Sequence, residues 1–495
     1  MEVAWGGWVP ARVLLNRMRI MVSSFFLALC LQVASFASFF EPQIPSNAEL
    51  SSLFQASLDQ VGQGKRMDAE DLWGRALLRR YPELHWYAQA GVAASQEGEA
   101  GKRPDSFSVR IFGEYYPEFD RTVMVLKCYF LIQSGTRRAY ESFVAPQKDN
   151  PLTREHFDQL HARLHGLLAD AGDRAEILRD AFLAGLVLGD IGKIDAVHVW
   201  MERYGIKDLD HDVFYGSVML HPEAREAFSS FAKLSPEAQA LLVKTANLGH
   251  WGHITHLEGG FSMFEPLKSS GILETDYAAF VFESLVHSCD VAGAGGHRNT
   301  SGSIVYNDTA FLTLKSVYFV CSLLADNNER FAYYHYLTMR AGAVELTAEG
   351  EMLEVLGRLV AMLRLHDVSA GVILEEAARA WSPEEHALIL KTLSVVGANR
   401  LPETPTYMPA VLVNMLNHPG FGATQEVRLR NVVVHGVPWV AAVLQDYERF
   451  LASNTINVSI PLNFNEAAGQ VKQDPRVIGR KMWHIDPSTG SVSFF

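Results

Sequence analysis

Apolar residues recur at helical spacing along most of this chain, and few segments alternate between apolar and polar residues. Leu178, Ala181, Phe182 and Gly185, for example, fall at positions i, i+3, i+4 and i+7 of one segment. This spacing places them on one face of an α-helix, whereas a half-buried β-strand requires alternation with a period of two residues. Ser235, which is followed by Pro and Glu, is typical of a helix start. The pattern predicts an all-α fold.

The chain is longer than a single hydrophobic core usually allows. With 495 residues, we expect about two to three packed units. A polar stretch at residues 97–107 contains Gly and Pro and indicates a surface loop or a boundary. We predict a targeting segment at 1–40, an N-terminal helical region at 41–150, a helical domain at 151–300, a C-terminal helical region at 301–455, and a tail with a short strand or an ordered arm at 456–495.

The charge balance limits the classes of partner. The formal net charge is −13. Because nucleic-acid phosphates and anionic membranes attract proteins with a surplus of Lys and Arg, this balance argues against broad nucleic-acid binding. A small anionic substrate in a local basic or metal-lined pocket remains compatible with it. The four cysteines, which form no CxxC pair, are expected to be buried as small apolar residues: Cys30, Cys128, Cys289 and Cys321.

The N-terminus has the pattern of a secretory leader. Arg17 and Arg19 precede an apolar run at 21–37, and Ser35 and Ala37 stand at the −3 and −1 positions of a candidate cleavage site. The run is shorter than the roughly 20 residues of a membrane helix. We therefore expect a signal peptide, entry into the secretory pathway, and no stable membrane span after removal of the leader. The alternative is an apolar first helix packed on the body of a cytoplasmic protein.

The most specific string lies where the helix of residues 175–188 ends. Gly189, Asp190, Ile191, Gly192 and Lys193 follow it directly. The string resembles the signature of the HD superfamily of metal-dependent phosphohydrolases, in which a helix delivers His-Asp-Ile-Gly-Lys to a metal ion. Gly189 stands where that family has its His. The alternative is an ordinary helix C-terminus, at which Gly192 breaks the helix and Lys193 complements its dipole.

Further residues follow in an order similar to that of the two-metal HD phosphodiesterases, with the first His 29 residues before Asp190. The resemblance implies an HD-like domain that holds a divalent ion, Mn, Fe, Zn or Mg, and hydrolyses a small phosphorylated substrate. A metal-bound hydroxide would attack phosphorus, Lys193 would lie near the phosphate, and Asp190, Lys193 and His256 would be catalytic. The implied metal ligands are His161, Asp190, His221, His256 and Asp290.

A second alignment of the chain with the family shares two of these residues. It takes His253 or His256 as the first ligand, Asp290 as the HD aspartate and Asp367 as the last ligand. The motif His is again absent, because Cys289 stands in its place. His256 and Asp290 belong to the implied site in both alignments.

Two alternatives to a phosphohydrolase remain open. Loss of the motif His at Gly189 and at Cys289 favours a catalytically inactive HD-like scaffold that binds a ligand or a protein partner. An unrelated metal enzyme would instead use the neighbouring histidines at 250–256, which are otherwise interpreted as a structural turn with capped histidines. The three glycines at 293–296 indicate a flexible or close-packed turn, and only weakly a phosphate nest.

Overall fold

The structure is a computed structural model and confirms the all-α fold. The predicted targeting segment at 1–40 lies outside the described residues, as does the polar stretch at 97–105. The described residues are 44–60, 66–88, 106–148, 150–207, 211–453, 460–480 and 482–495.

The helices follow one another with short connections. In chain order they are α1 (Asn47–Asp59), α2 (Arg66–Arg80), α3 (Leu84–Tyr87), α4 (Phe107–Phe112), α5 (Pro117–Ser134), α6 (Arg137–Val144), α7 (Arg154–Asp170), α8 (Ala175–Leu188), α9 (Asp195–Met201), α10 (His211–Leu220), α11 (Pro222–Glu226), α12 (Ser229–Ala232), α13 (Pro236–Thr245), α14 (Trp251–His256), α15 (Glu265–Ser269), α16 (Ile272–Thr275), α17 (Tyr277–Gly293), α18 (Asp308–Ser322), α19 (Glu329–Gly342), α20 (Gly350–Met362), α21 (Val368–Ala378), α22 (Pro383–Leu393), α23 (Val395–Ala398), α24 (Met408–Asn417), α25 (Gln425–Asn431), α26 (Val437–Ser453) and α27 (Asn465–Gln473). Short 3-10 turns, such as Ile191–Lys193, and one π-helical turn, Val432–Gly436, lie between them.

Side-chain caps fix where several helices begin. The Ser46 hydroxyl accepts the backbone N–H of Glu49 at 3.2 Å, and the Glu49 carboxylate accepts the backbone N–H of Ser46 at 2.7 Å. These two bonds satisfy N–H groups that have no partner inside a helix. Ser235 caps α13 by accepting the backbone N–H of Ala238, so the helix start expected there is confirmed.

The apolar side chains form two hydrophobic cores. The first comprises residues between Leu50 and Leu337 together with Ala361 and Val395, with α5 buried along most of its length against α17 and α8. The second runs from Val344 to Phe494. The predicted divisions at residues 150 and 300 both fall within the range of the first core. Helix α5, for example, packs against helices on both sides of residue 150. The cysteines Cys128, Cys289 and Cys321 are buried, as expected.

The predicted tail is part of the second core. Strand β1 (Trp483–Ile485) pairs antiparallel with β2 (Val492–Phe494). The Phe494 ring stacks on Trp439 of α26, with 4.7 Å between ring centroids. The tail thus contains a two-stranded hairpin where the sequence predicted a short strand or an ordered arm. This hairpin packs on α27 and α26.

Among the residues that the structure describes, two apolar segments are long enough to cross a membrane by length and composition alone. Asp308–Ala325 and Gln425–Ser453 have mean hydropathies of 1.3 and 1.2, and 39% and 56% of their most apolar windows is buried in the fold. Core helices pass the same test, so this is weak evidence for membrane insertion. The expected absence of a membrane span stays a prediction.

Candidate functional site

The Asp190 carboxylate lies at the end of α8 and is held by cations. Lys193 follows one 3-10 turn later, and its Nζ lies 2.5 Å from Asp190 Oδ1. Arg121 of α5 approaches from the other side, with Nε 3.8 Å from Asp190 Oδ2. Both side chains of the Asp190–Lys193 pair are largely shielded from water, at 10% and 16% exposure. Two residues of the string that resembles the HD signature, Asp190 and Lys193, therefore form a partly buried ion pair in this fold.

Asp290 of α17 acts on the same lysine. Burial alone would lower the pKa of Lys193, but the negative charges of Asp190 and Asp290 outweigh it, and the pKa of Lys193 is raised above its ordinary value. The two carboxylates that the resemblance places at one metal thus lie near one ammonium group. This is the part of the predicted site that the fold brings together.

His161 and His221 have their own structural partners. The Nδ1 atom of His161 lies 2.8 Å from the carbonyl oxygen of Ile132, and its ring lines a separate cavity of about 260 Å³ with His165. His221 is the N-cap of α11, where its Nδ1 accepts the backbone N–H of Ala224 at 3.3 Å. Neither contact links these histidines to Asp190.

The histidines of α14 separate into two groups. His250 caps the helix by accepting the backbone N–H of His253, and the two imidazole rings stack with 3.7 Å between centroids. His253 Nε2 lies 3.1 Å from the Glu258 carboxylate. His256 instead lines a cavity that does not include His250 or His253. The arrangement matches the structural turn with capped histidines that the sequence offered as one interpretation.

We call the cavity beside His256 the arginine cavity. It has a volume of about 290 Å³ and lies where helices of the first core meet those of the second. None of its described lining residues is Asp or Glu. The lining consists of Gly252, Thr255, His256, His287, Val291, Val305, Asn307, Thr309, Ala310, Thr313, Leu314, Arg340, Ala361, Arg364 and His366.

Burial, together with the two arginines, keeps His256 and His366 neutral. Burial, with the charges of Arg364 and Arg340, lowers the pKa of His256 to about 3. Burial, followed by the charge of Arg340, lowers the pKa of His366 to about 4. Arg340 also donates to the carbonyl oxygen of Leu365 at 2.6 Å and towards Nδ1 of His366 at 3.3 Å. Near pH 7 the guanidinium groups of Arg340 and Arg364 therefore carry positive charge in the cavity lining, whereas His256 and His366 do not.

The donor set that the resemblance implies does not fit a shared metal ion. Asp190 is paired with Lys193, His221 caps a helix, and His161 and His256 line different cavities. Within the described ranges, no group of three or more His, Cys, Asp or Glu side chains is arranged to hold a metal ion. The predicted metal and its ligands stay predictions.

A further, larger cavity contains none of the predicted residues. It has a volume of about 750 Å³ between α7, α8, α13 and α17. Its lining includes the apolar side chains of Leu167, Leu178 and Leu241 and both basic and acidic side chains, such as Arg163 and Asp276. This mixture gives the cavity no clear preference for a ligand charge.

The fold and the site define an all-α protein with a basic cavity between two helical cores. A model of the family of unknown function DUF6829 matches residues 81–473, and the chain belongs to this family. The match spans both cores in large part and includes every residue that lines the arginine cavity. No curated protein and no solved structure matches the chain.

The sequence did not single out Arg340, Arg364 or His366. Arg340 follows a run of aromatic residues at 331–336, and Arg364 and His366 precede Asp367, which the second alignment takes as the last metal ligand. One signal was available, namely a lone Arg on the buried side of an apolar helix. Such a residue requires a partner, because charges are rarely buried without one.

Proposed function

We propose that this chain is a catalytically inactive, HD-like helical scaffold whose function is to bind a ligand. The observation that carries the proposal is the ion pair between Lys193 and Asp190. In the HD resemblance this carboxylate is a metal ligand, whereas here an ammonium group lies 2.5 Å from it. A metal would have to displace that ammonium from a partly buried pair, and doing so would leave Lys193 without its nearest anion.

Replacement of the motif His supports the same proposal. Gly189 carries no side chain that could ligate a metal, and its backbone N–H donates to the carbonyl oxygen of Gly185 at 2.8 Å as part of α8. Gly189 thus has a structural role at the end of α8. A scaffold that keeps the helices and has lost the metal-ligating His is the simplest account of Gly189 and of the Asp190–Lys193 pair.

One observation favours the phosphohydrolase as a second candidate. Asp190 and Asp290 are 100 residues apart in the sequence, and yet both charges act on Lys193. Two carboxylates whose charges act on one ammonium group are the start of the donor set that a divalent ion requires. In that case Lys193 would turn away when the ion binds.

Metal content of the purified full chain tests the proposal. The wild type, Asp190→Asn and Asp290→Asn would be supplemented with Mn, Fe, Zn or Mg, desalted and measured by inductively coupled plasma mass spectrometry. We expect far less than one equivalent of any metal in all three proteins. Asp195→Asn is the matched control, because Asp195 is exposed at the start of α9 and carries the same charge.

The phosphohydrolase candidate gives the opposite result. About one or two equivalents of metal in the wild type and in Asp195→Asn, lost in Asp190→Asn and Asp290→Asn, would overturn the proposal. Hydrolysis of p-nitrophenyl phosphate or bis(p-nitrophenyl) phosphate by the wild type and Asp195→Asn, and its loss in Asp190→Asn and Asp290→Asn, would establish phosphohydrolase activity.

A further inference from the structure

We propose that the arginine cavity binds a small molecule through an oxyanion group, a carboxylate or a phosphate. The inference rests on the binding role proposed above but on different residues. It concerns Arg340 and Arg364, which lie outside the string that resembles the HD signature. Failure of one proposal therefore leaves the other testable.

Arg340 is a buried cation, and none of the described residues that line the cavity supplies a negative charge to balance it. Its exposure is 5%, and its donors reach only a backbone carbonyl and a neutral imidazole. In the part of the chain that the structure describes, Arg340 forms no ion pair, and its buried Nε has no hydrogen-bond partner. A buried guanidinium group without an anion is strongly unfavourable, so the missing charge is expected from a ligand.

Arg364 adds a second cation at the mouth of the cavity. It follows the end of α20 with a left-handed backbone, φ 57°, which is uncommon for a residue other than Gly. Its side chain is exposed and lines the cavity, and its charge contributes to lowering the pKa of His256. Two guanidinium groups thus face one space, and each presents several N–H donors in a planar fork that matches carboxylate and phosphate oxygens.

Thr255 supplies a second buried polar group that lacks a partner. Its Oγ1 is buried and has no hydrogen-bond partner in the described chain, and the residue lines the same cavity. Because buried hydroxyl groups are normally hydrogen-bonded, two such gaps around one cavity point to a polar ligand.

The N-terminal end of α18 also lies at the cavity. Asn307, the N-cap, and Thr309 in the first turn line the wall. A helix N-terminus favours negative charge because its N–H groups and its dipole point outward there. The Asp308 carboxylate in the same turn is engaged elsewhere, 2.5 Å from Nδ1 of His156, so it does not line the cavity.

The size and the apolar wall define the rest of the ligand. The volume of about 290 Å³ is at the lower end for small-molecule sites. Val291, Val305 and Leu314 supply apolar surface to the same lining. The cavity suits a small metabolite with one anionic head and a short apolar body.

Thermal unfolding of the full chain with simple anions tests this proposal. The probes are sodium phosphate and sodium acetate, each compared with sodium chloride at equal ionic strength. We expect at least one of the two probes to raise the Tm saturably in the wild type, because a ligand that binds only the folded state stabilises it. The probe that does so identifies the anionic group.

Two variants assign the effect to the cavity. Arg340→Met removes the buried guanidinium group, and Arg364→Met removes the exposed guanidinium group without changing a core side chain. Each is expected to weaken binding of the probe at least tenfold. Arg330→Met is the matched control, because Arg330 lies exposed on the same helix as Arg340. It should bind the probe as the wild type does.

A second property of Arg340→Met separates a binding site from a structural role. If the guanidinium lacks an anion in the free protein, the variant without ligand should unfold at the wild-type Tm or above it. A large loss of Tm without ligand, together with an unchanged response of Arg364→Met to both probes, would overturn the inference. So would responses to phosphate and acetate that are no larger than the response to chloride.

Discussion

At the scale of single residues, buried cations set much of the chemistry in this protein. Arg358 is 2% exposed and donates to the backbone carbonyl of Leu257 at 2.8 Å and to that of Glu258. Lys127, 1% exposed, has its ammonium 2.6 Å from the Glu70 carboxylate. Arg340 differs from both, because neither a carboxylate nor a full set of carbonyl groups surrounds it in the described structure. This contrast marks the cavity as the unusual site.

His256 gives a prediction for the dependence of stability on pH. Its pKa is about 3 in the folded protein and about 6.5 in an unfolded chain, so between these values the unfolded state binds a proton that the folded state does not. Acid therefore favours unfolding in this window. The contribution of His256 is fully present above about pH 6.5 and is lost as the pH falls towards 3.

The measurement is the free energy of unfolding by urea between pH 4 and pH 7. His256→Gln should flatten its slope by up to about 1 kcal/mol per pH unit. His165→Gln, a change at an exposed position of α7, should leave the slope as it is in the wild type. Equal slopes in all three proteins would contradict the assignment.

At the scale of elements, glycines allow two long helices of the first core, α5 and α17, to approach closely. A Cβ atom on Gly293, at the end of α17, would lie 2.4 Å from Cα of Val125 in α5. One on Gly296 would lie 2.5 Å from Cβ of Met124. Of the two alternatives offered by the sequence, the close-packed turn is therefore the one that the structure contains.

This contact predicts the effect of one added methyl group. Gly293→Ala should destabilise the protein by about 2 kcal/mol, because the backbones of α5 and α17 would have to separate. Gly166→Ala is the control, since nothing lies within 4 Å of its added Cβ atom on α7. That change should be neutral or stabilise by up to about 1 kcal/mol. Urea denaturation of both variants makes the comparison, and a harmless Gly293→Ala would contradict the packing.

At the scale of the whole molecule, the sequence predicts the class of fold much better than the site. Helical spacing and caps such as Ser235 are local, and they appear in the structure where expected. Convergence of distant side chains is not local. The charges of Asp190 and Asp290 both act on one lysine, but His221 and His256 do not join them, because the helices that carry them pack in directions that spacing along the chain does not encode.

The second core makes a prediction about the C-terminal hairpin. Phe494 is 6% exposed and stacks on Trp439, whereas its neighbour Phe495 is 62% exposed. Phe494→Ala should cost about 3 kcal/mol in the free energy of unfolding, through lost burial and a residual void. Phe495→Ala should cost less than about 0.5 kcal/mol. Similar losses in the two variants would show that the hairpin is not an integral part of this core.

The carboxylate-free lining of the arginine cavity has a kinetic consequence in a chain of net charge −13. An anion that diffuses towards the protein meets overall repulsion until it comes within about a Debye length, roughly 8 Å at physiological ionic strength, of the two guanidinium groups. Salt screens the long-range repulsion and the short-range attraction together. The association rate of an anionic ligand should therefore fall less steeply with added salt than in a protein whose whole surface is basic.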